Sequence, residues 1–140
     1  MPLPDAPELV LRRELAGLLH GWELASYVPS GTIPERGVKL DGIMPTTLDE
    51  FTLLTSLPTT FEGRANADYR VQFYTRRLGS FITVEQWHSE LTRRLNQAEY
   101  TPSILGISFA RETSSLYFEP DTQKRSAVAA TYSFRGRRVF

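Results

Sequence analysis

Residues 68 to 98 constrain the fold of this chain more than any other stretch. Apolar and aromatic side chains fall at Tyr69, Val71 and Phe73, while Arg70, Gln72, Tyr74 and Arg76 occupy the opposite phase. A period of two is that of a strand with one face buried and the other wet or held for a partner. A short loop leads into Thr83-Val84-Glu85-Gln86, whose Thr-x-x-Gln spacing predicts a capping box at a helix start. Val84, Trp87, Leu91, Leu95 and Ala98 then recur at helical spacing and form one apolar stripe. The expected unit is a scaffold in which Tyr69, Val71 and Phe73 pack under Trp87, Leu91 and Leu95.

The flanking sequence supplies the other layers. Asp5 is placed to cap a first helix over residues 6 to 21, with Pro7 and Glu8 favoured in its first turn. Its stripe is Leu11, Leu15, Leu18, Leu19 and Trp22. From Pro29 to Pro45 the chain is rich in Gly and Pro, with room for a short strand around Val38 to Ile43. Asp49 to Ser56 reads as a strand. Leu57 to Ala67, holding Pro58, Gly63 and Asn66, reads as an exposed, mobile loop. Ser103 to Arg111 and Ser115 to Glu119 read as two short strands. A turn at Glu119-Pro120-Asp121-Thr122 precedes a long strand from about Arg125 to Val139. Both phases of that last strand are largely apolar or small: Val128, Ala130, Tyr132 and Phe134 in one, Ala127, Ala129, Thr131 and Ser133 in the other. Helix, strands, helix, then strands predicts an α+β fold, a mostly antiparallel sheet of four to five strands with two main helices packed on one face.

At 140 residues the chain fits one domain, 1–140, able to bury a core without staples. No apolar run approaches the roughly 18 residues of a membrane span, and the start lacks a signal-peptide pattern, so no membrane partner is expected. There are no cysteines, which removes disulfides and thiolate metal sites and fits a reducing cytosolic site of synthesis. Net charge is zero, but its distribution is uneven. Residues 1–62 carry nine acids against four bases, residues 63–119 six against seven, and residues 120–140 one against five. Of the bases, fourteen are Arg and two are Lys. Arg makes planar, bidentate contacts and is favoured at protein interfaces, although a GC-rich coding genome produces the same bias.

The usual chemical signatures are absent. His20 and His88 stand in no H-x-x-x-H or H-E-x-x-H spacing, so neither a metal nor a cofactor is expected. No serine lies in a Gly-x-Ser-x-Gly elbow, and the glycines are too scattered for a phosphate loop. Asp49-Glu50 reads as a solvated pair rather than a catalytic one. Tyr69, Phe73 and Tyr74 with interleaved Arg70 and Arg76 suggest a base-stacking sheet, but the apolar members share one phase and fit a core. The expectation is a protein that is not an enzyme. The run from Phe134 to Phe140, with Arg135, Arg137 and Arg138, reads either as a solvated basic tail or as an anchor for a neighbouring subunit.

The order of elements resembles the tail terminator proteins of long, non-contractile-tailed bacteriophages, also labelled minor capsid or tail-completion proteins. Arg70 to Arg77 looks like that family's strand with Val-Gln followed four residues later by Arg, and a helix of similar length follows. The final strand, after the turn holding Asp121 and with Lys124-Arg125 at the basic position, resembles the family's closing strand. The resemblance implies a structural virion protein of the tail or neck, assembled in the host bacterial cytoplasm. It implies a ring, usually a hexamer, at the head-proximal end of the tail tube. Such a ring stops tube growth, meets the head-completion or connector protein, and lets double-stranded DNA pass through its lumen without sequence preference. A head–tail connector or stopper shares size, symmetry and lack of chemistry. A small ligand-binding or enzyme domain, with a pocket holding His88 and a buried carboxylate, is the third alternative.

The charge gradient leads to a similar arrangement independently. A closed ring needs a heterologous interface, in which one surface meets a different surface of the next copy. An acidic N-terminal portion and a basic C-terminal portion supply complementary surfaces. The expected interface residues are Arg70, Gln72, Tyr74, Arg76, Arg77, Arg135, Arg137, Arg138 and Phe140. The lumen is expected to be lined by the wet face of one strand or by the 57–67 segment, with mixed or acidic character, because each phosphate contact adds drag.

Overall fold

A computed structural model of the chain describes residues 3–139. Its elements run α1 (Pro7–Gly21), β1 (Gly37–Lys39), β2 (Phe51–Glu62), β3 (Asn66–Leu78), α2 (Phe81–Leu95), β4 (Phe109–Phe118) and β5 (Arg125–Arg137). The fold is α+β. The five strands form one sheet in the order β1-β2-β3-β5-β4, antiparallel throughout except for the parallel pair β1·β2. Both helices lie on the same face.

The alternation along β3 is strict: Ala67, Tyr69, Val71, Phe73, Thr75 and Arg77 are buried, and the residues between them are half-buried. The buried phase meets Leu11, Leu15 and Leu19 of α1 and Val84, Trp87, Leu91 and Leu95 of α2 in one continuous core. Phe73 packs edge-on against Tyr132 of β5, ring centroids 5.5 Å apart. Such a pair adds about 1 kcal/mol beyond its area burial. β5 is buried along most of both faces, as its two apolar phases require of a strand inside the sheet.

Several boundaries differ from the sequence reading, each for a physical reason. The segment 57–67 is not a loop. β2 continues to Glu62 and turns back within three residues, while Pro58 falls inside a register shift between Leu57 and Thr60, where a missing N–H costs no ladder bond. The two short strands expected between Ser103 and Glu119 are one strand, β4, interrupted by a bulge at Thr113 between Glu112 and Ser114. Residues 103–108 are irregular and contain the left-handed Leu105 and Gly106. The closing strand ends at Arg137 rather than Val139, and β1 spans three residues only.

The expected caps are also corrected. α2 begins at Phe81 with Ser80 as N-cap, so Thr83 and Gln86 lie inside the helix and form no capping box. Gly79, at φ +110°, makes the turn that lets the helix start there. Ala6, not Asp5, is the N-cap of α1, and Asp5 pairs with Arg13 instead.

Candidate assembly surface

The face of the sheet away from the helices carries the residues singled out above, positioned by the register of four strands. Arg76 lies between Phe51 and Ala127, Tyr74 between Leu53 and Ala129, and Gln72 between Thr55 and Thr131. Arg70 follows between Leu57 and Ser133, then Asp68 beside Arg135, and Asn66 beside Arg137. β4 completes the face with Phe118, Leu116 and Ser114 past the bulge, and with Arg111 and Phe109 before it.

This face has two chemically distinct ends. At the first, Tyr74 sits between two rings, 6.0 Å from Phe51 and 5.8 Å from Phe118, and Arg76 lies 4.6 Å over the Phe51 ring. These side chains shield Phe51, Leu53, Ala127 and Ala129, which are buried although no helix covers them among the described residues. Arg76 also donates to the carbonyls of Asp49, at 3.1 Å, and Leu48. Burial, then the nearby charge of Arg125, pushes the Arg76 guanidinium below its ordinary range, and burial pushes the Tyr74 phenol up. Arg76 and Tyr74 are thus locked rather than mobile.

The second end is rich in arginine. Arg70, Arg111, Arg135 and Arg137 share the face, and Arg64 and Arg138 stand at the β2–β3 turn beside it. A shallow cleft of about 260 Å³ lies between Asp68, Phe109, Arg111, Ser133 and Arg135. Arg70 donates to the Pro58 carbonyl at 3.0 Å. Arg138 donates to the Gly63 carbonyl at 3.1 Å and stacks 4.4 Å over Phe61.

Arg77 does not belong to this surface, which corrects its assignment. It lies in the buried phase of β3, 4% exposed, and donates to the carbonyls of Leu24, Arg76 and Phe51 at 3.0, 3.0 and 3.3 Å. Burial pushes its guanidinium down to about 10, against the pull of Glu50. Trp87 Nε1 donates to the same Leu24 carbonyl at 2.8 Å, so Arg77 helps fasten the segment after α1 to the sheet. Phe140 lies outside the described residues.

The charge gradient is partly satisfied inside the chain. Arg135 pairs with Glu62 at 2.8 Å, and Arg125 pairs with Asp121 at 2.9 Å and Asp49 at 3.6 Å. Each joins a basic C-terminal residue to an acidic group, two of them from residues 1–62. The Arg135–Glu62 pair is exposed and exchangeable, since such pairs contribute about 0–1 kcal/mol.

His88 is the nearest approach to a chemical site, and it lies on the helix-covered face. Its Nδ1 meets the Tyr117 hydroxyl and its Nε2 the Glu112 carboxylate, so both ring nitrogens are occupied by neighbouring side chains. A cleft of about 500 Å³ opens beside Arg77 and Trp87 and does not include His88. Among the described residues no group of three or more His, Asp or Glu is placed to hold a metal ion, and no helix is long and apolar enough to cross a membrane. The surface residues that sequence reasoning missed are Leu116, Phe118 and Arg111. Their signal was hidden because the bulge at Thr113 reverses the phase of β4 in its middle.

No family model and no curated protein sequence matches the chain. Among solved structures, it is similar to a chain of one described as "Virion of native gene transfer agent (GTA) particle", with a TM-score of 0.56 and 13% identity. The similarity covers 95% of this chain and 96% of the other. At that identity it is a likeness of fold.

Proposed function

We propose that the chain is a structural protein of a virion, and specifically a tail terminator. In this reading it forms a ring, with six copies expected, at the head-proximal end of a tail tube. The ring stops tube growth and joins the tail to a head-completion protein, while double-stranded DNA passes through its lumen. The observation that carries the reading is the full-length likeness of fold to a virion chain, 95% against 96% covered. The helix-free face gives it a surface. Arg70, Gln72, Tyr74, Arg76, Arg135 and Arg137 share that face, with Arg138 at its margin, and ring contacts through it would bring Arg135, Arg137 and Arg138 toward acidic groups of residues 1–62 in the next copy.

Rigid, satisfied side chains suit such a role. Arg76 and Tyr74 are held by carbonyls and rings, so little conformational entropy remains to be lost on association. Glu112 and Tyr117 each bond one ring nitrogen of His88 on α2, which favours a structural use over a catalytic one.

Electron microscopy of the purified protein, alone and mixed with tail tubes, tests the proposal. Rings that cap tube ends are the expected result. Particles that form no rings and leave tube ends bare would overturn it. Density on the head side of the neck instead would assign the connector or stopper role.

A further inference from the structure

An open sheet edge normally carries a guard against pairing with another chain, and most of the edge in this protein has one. β1 is sealed by residue 26: Val38 donates to the Ser26 carbonyl at 3.0 Å and Ser26 to the Arg36 carbonyl at 2.8 Å. Beyond β1, β2 carries Pro58 and a register shift. The first half of β4 is covered by the chain after α2. Ala110 donates to the Ala98 carbonyl and Glu112 to the Asn96 side-chain oxygen, both at 2.9 Å.

What remains is Thr113 to Phe118. Odd-numbered residues of β5 turn their backbone groups toward the β4 side, as the Asp121-to-Arg125 and Arg137-to-Leu105 bonds mark at either end. Even-numbered positions turn toward β3, as Arg138-to-Ala65 marks. Leu116 pairs with Ala129, so its own N–H and C=O face β5. Those of Ser115 and Tyr117 therefore point away from the sheet, and no described residue bonds them. The window Thr113-Ser114-Ser115-Leu116-Tyr117-Phe118 contains no charge, Gly or Pro. Apolar side chains flank it on both faces: Leu116 and Phe118, 59% and 42% exposed, on one, and Phe81 and Ile82, 37% and 60% exposed, near the other. The Phe81 ring lies 4.9 Å from that of Tyr117.

We infer that this edge pairs with the same edge of a second copy, antiparallel, about a twofold axis at Leu116. The other edges of a second copy are covered or, on β2, broken by Pro58 and the register shift, so its own β4 window is the strand available. Centring the pair on Leu116 sets Ser115 opposite Tyr117 of the second copy, and each such pair exchanges both N–H···O bonds. Leu116 then faces Leu116 in a close, non-hydrogen-bonded pair, and Ser114 faces Phe118. Every opposed pair falls on a common face, and no like charges meet within the window. This contact is isologous and does not rest on the ring reading, whose contacts run head to tail.

The chain has no cysteine, so single cysteines report the register. Leu116→Cys places two Cα atoms about 4.5 Å apart across the axis, within disulfide reach. Ser114→Cys leaves them about 13 Å apart along the strands, out of reach. Mild oxidation of the full chain is expected to give a covalent dimer with Leu116→Cys at least about tenfold faster than with Ser114→Cys. Sedimentation across a concentration series should show the unaltered chain reaching twice the mass of Leu116→Lys, with the circular dichroism of the fold retained. Equal crosslinking at both positions, or faster crosslinking at Ser114→Cys, would overturn the register. An unaltered chain no heavier than Leu116→Lys would overturn the self-pairing and leave the edge to a strand from a different protein. Rings without the Leu116→Cys crosslink, or the crosslink without rings, separate this inference from the ring proposal.

Discussion

Replacing Arg77 with methionine should change stability little, whereas replacing it with alanine should damage the fold, and the structure gives the sizes. Burial holds the guanidinium down at about 10. At roughly 1.4 kcal/mol per tenfold in protonation, keeping the charge there costs on the order of 3 kcal/mol at neutral pH relative to the unfolded chain. Methionine removes that cost and keeps an unbranched apolar stem. It also removes donors from the carbonyls of Leu24, Arg76 and Phe51. All three carbonyls keep another bond, that of Leu24 from Trp87 and those of Phe51 and Arg76 from each other across the β2–β3 ladder, so what is lost is the set of charge-assisted second bonds, about 2–3 kcal/mol. The two effects oppose and nearly cancel, leaving Arg77→Met within about 1.5 kcal/mol of the unaltered chain. Alanine loses the stem as well and opens a cavity, for a net loss of about 2–4 kcal/mol. Urea unfolding at pH 7, followed by tryptophan fluorescence, measures both. The pH dependence has a definite sign. Because the folded value is depressed, the unfolded chain binds more protons above pH 10, so the penalty is complete below that and fades as pH rises further. The difference between the unaltered chain and Arg77→Met should therefore shift in favour of the unaltered chain in strong alkali. If Arg77→Met proves as harmful as Arg77→Ala, the carbonyl bonds outweigh desolvation and the reasoning fails.

Other outcomes follow from single contacts. Tyr69→Phe removes the bond donated by the phenol to the Arg137 carbonyl at 2.7 Å and should cost about 1 kcal/mol in chemical denaturation, with faster amide exchange at the end of β5. Gly136→Ala puts a methyl 3.0 Å from the Leu105 carbonyl oxygen and 3.1 Å from the Tyr69 ring, a crowding that should lower stability by about 1–3 kcal/mol in the same assay. Substituting Glu for Arg135, Arg137 and Arg138 together should weaken ring assembly, most strongly at low salt. Native mass spectrometry reporting an unchanged oligomer would remove the arginines from the interface. Phe73→Ala should cost about 3–5 kcal/mol, because the ring is wholly buried and its partner Tyr132 cannot refill the space.

The elements that announced themselves in the sequence were those with one consistent period. β3 and the stripe of α2 satisfy a single environment along their whole length, so alternation and helical spacing identified the faces they bury. Elements with a local exception were misread. Pro58 suggested a loop because its tolerance depends on a bulge in β2 that no local signal marks. Arg77 was assigned to the surface by its charge although its phase pointed inward, and three carbonyls from three separate segments are what make the inward position tenable. The candidate surface was half legible. Arg70, Gln72, Tyr74 and Arg76 follow from alternation on one strand, but their neighbours on β4 and β5 depend on register, which is set by tertiary packing.

The bulge at Thr113 also governs which changes of length this protein tolerates. It divides β4 into two reading frames: Ala110 and Glu112 face the helices before it, Ser115 and Tyr117 after it. Deleting Thr113 removes the extra residue and leaves Glu112 opposite Tyr132 and Ser114 opposite Thr131, so one frame runs through β4 with Tyr117 still at His88 and Leu116 and Phe118 still on the open face. Only the local kink and the Thr113 hydroxyl bond to the Thr131 carbonyl are lost. In descent from a common ancestor, chain length at this site should vary by one residue while the two faces on either side of it hold.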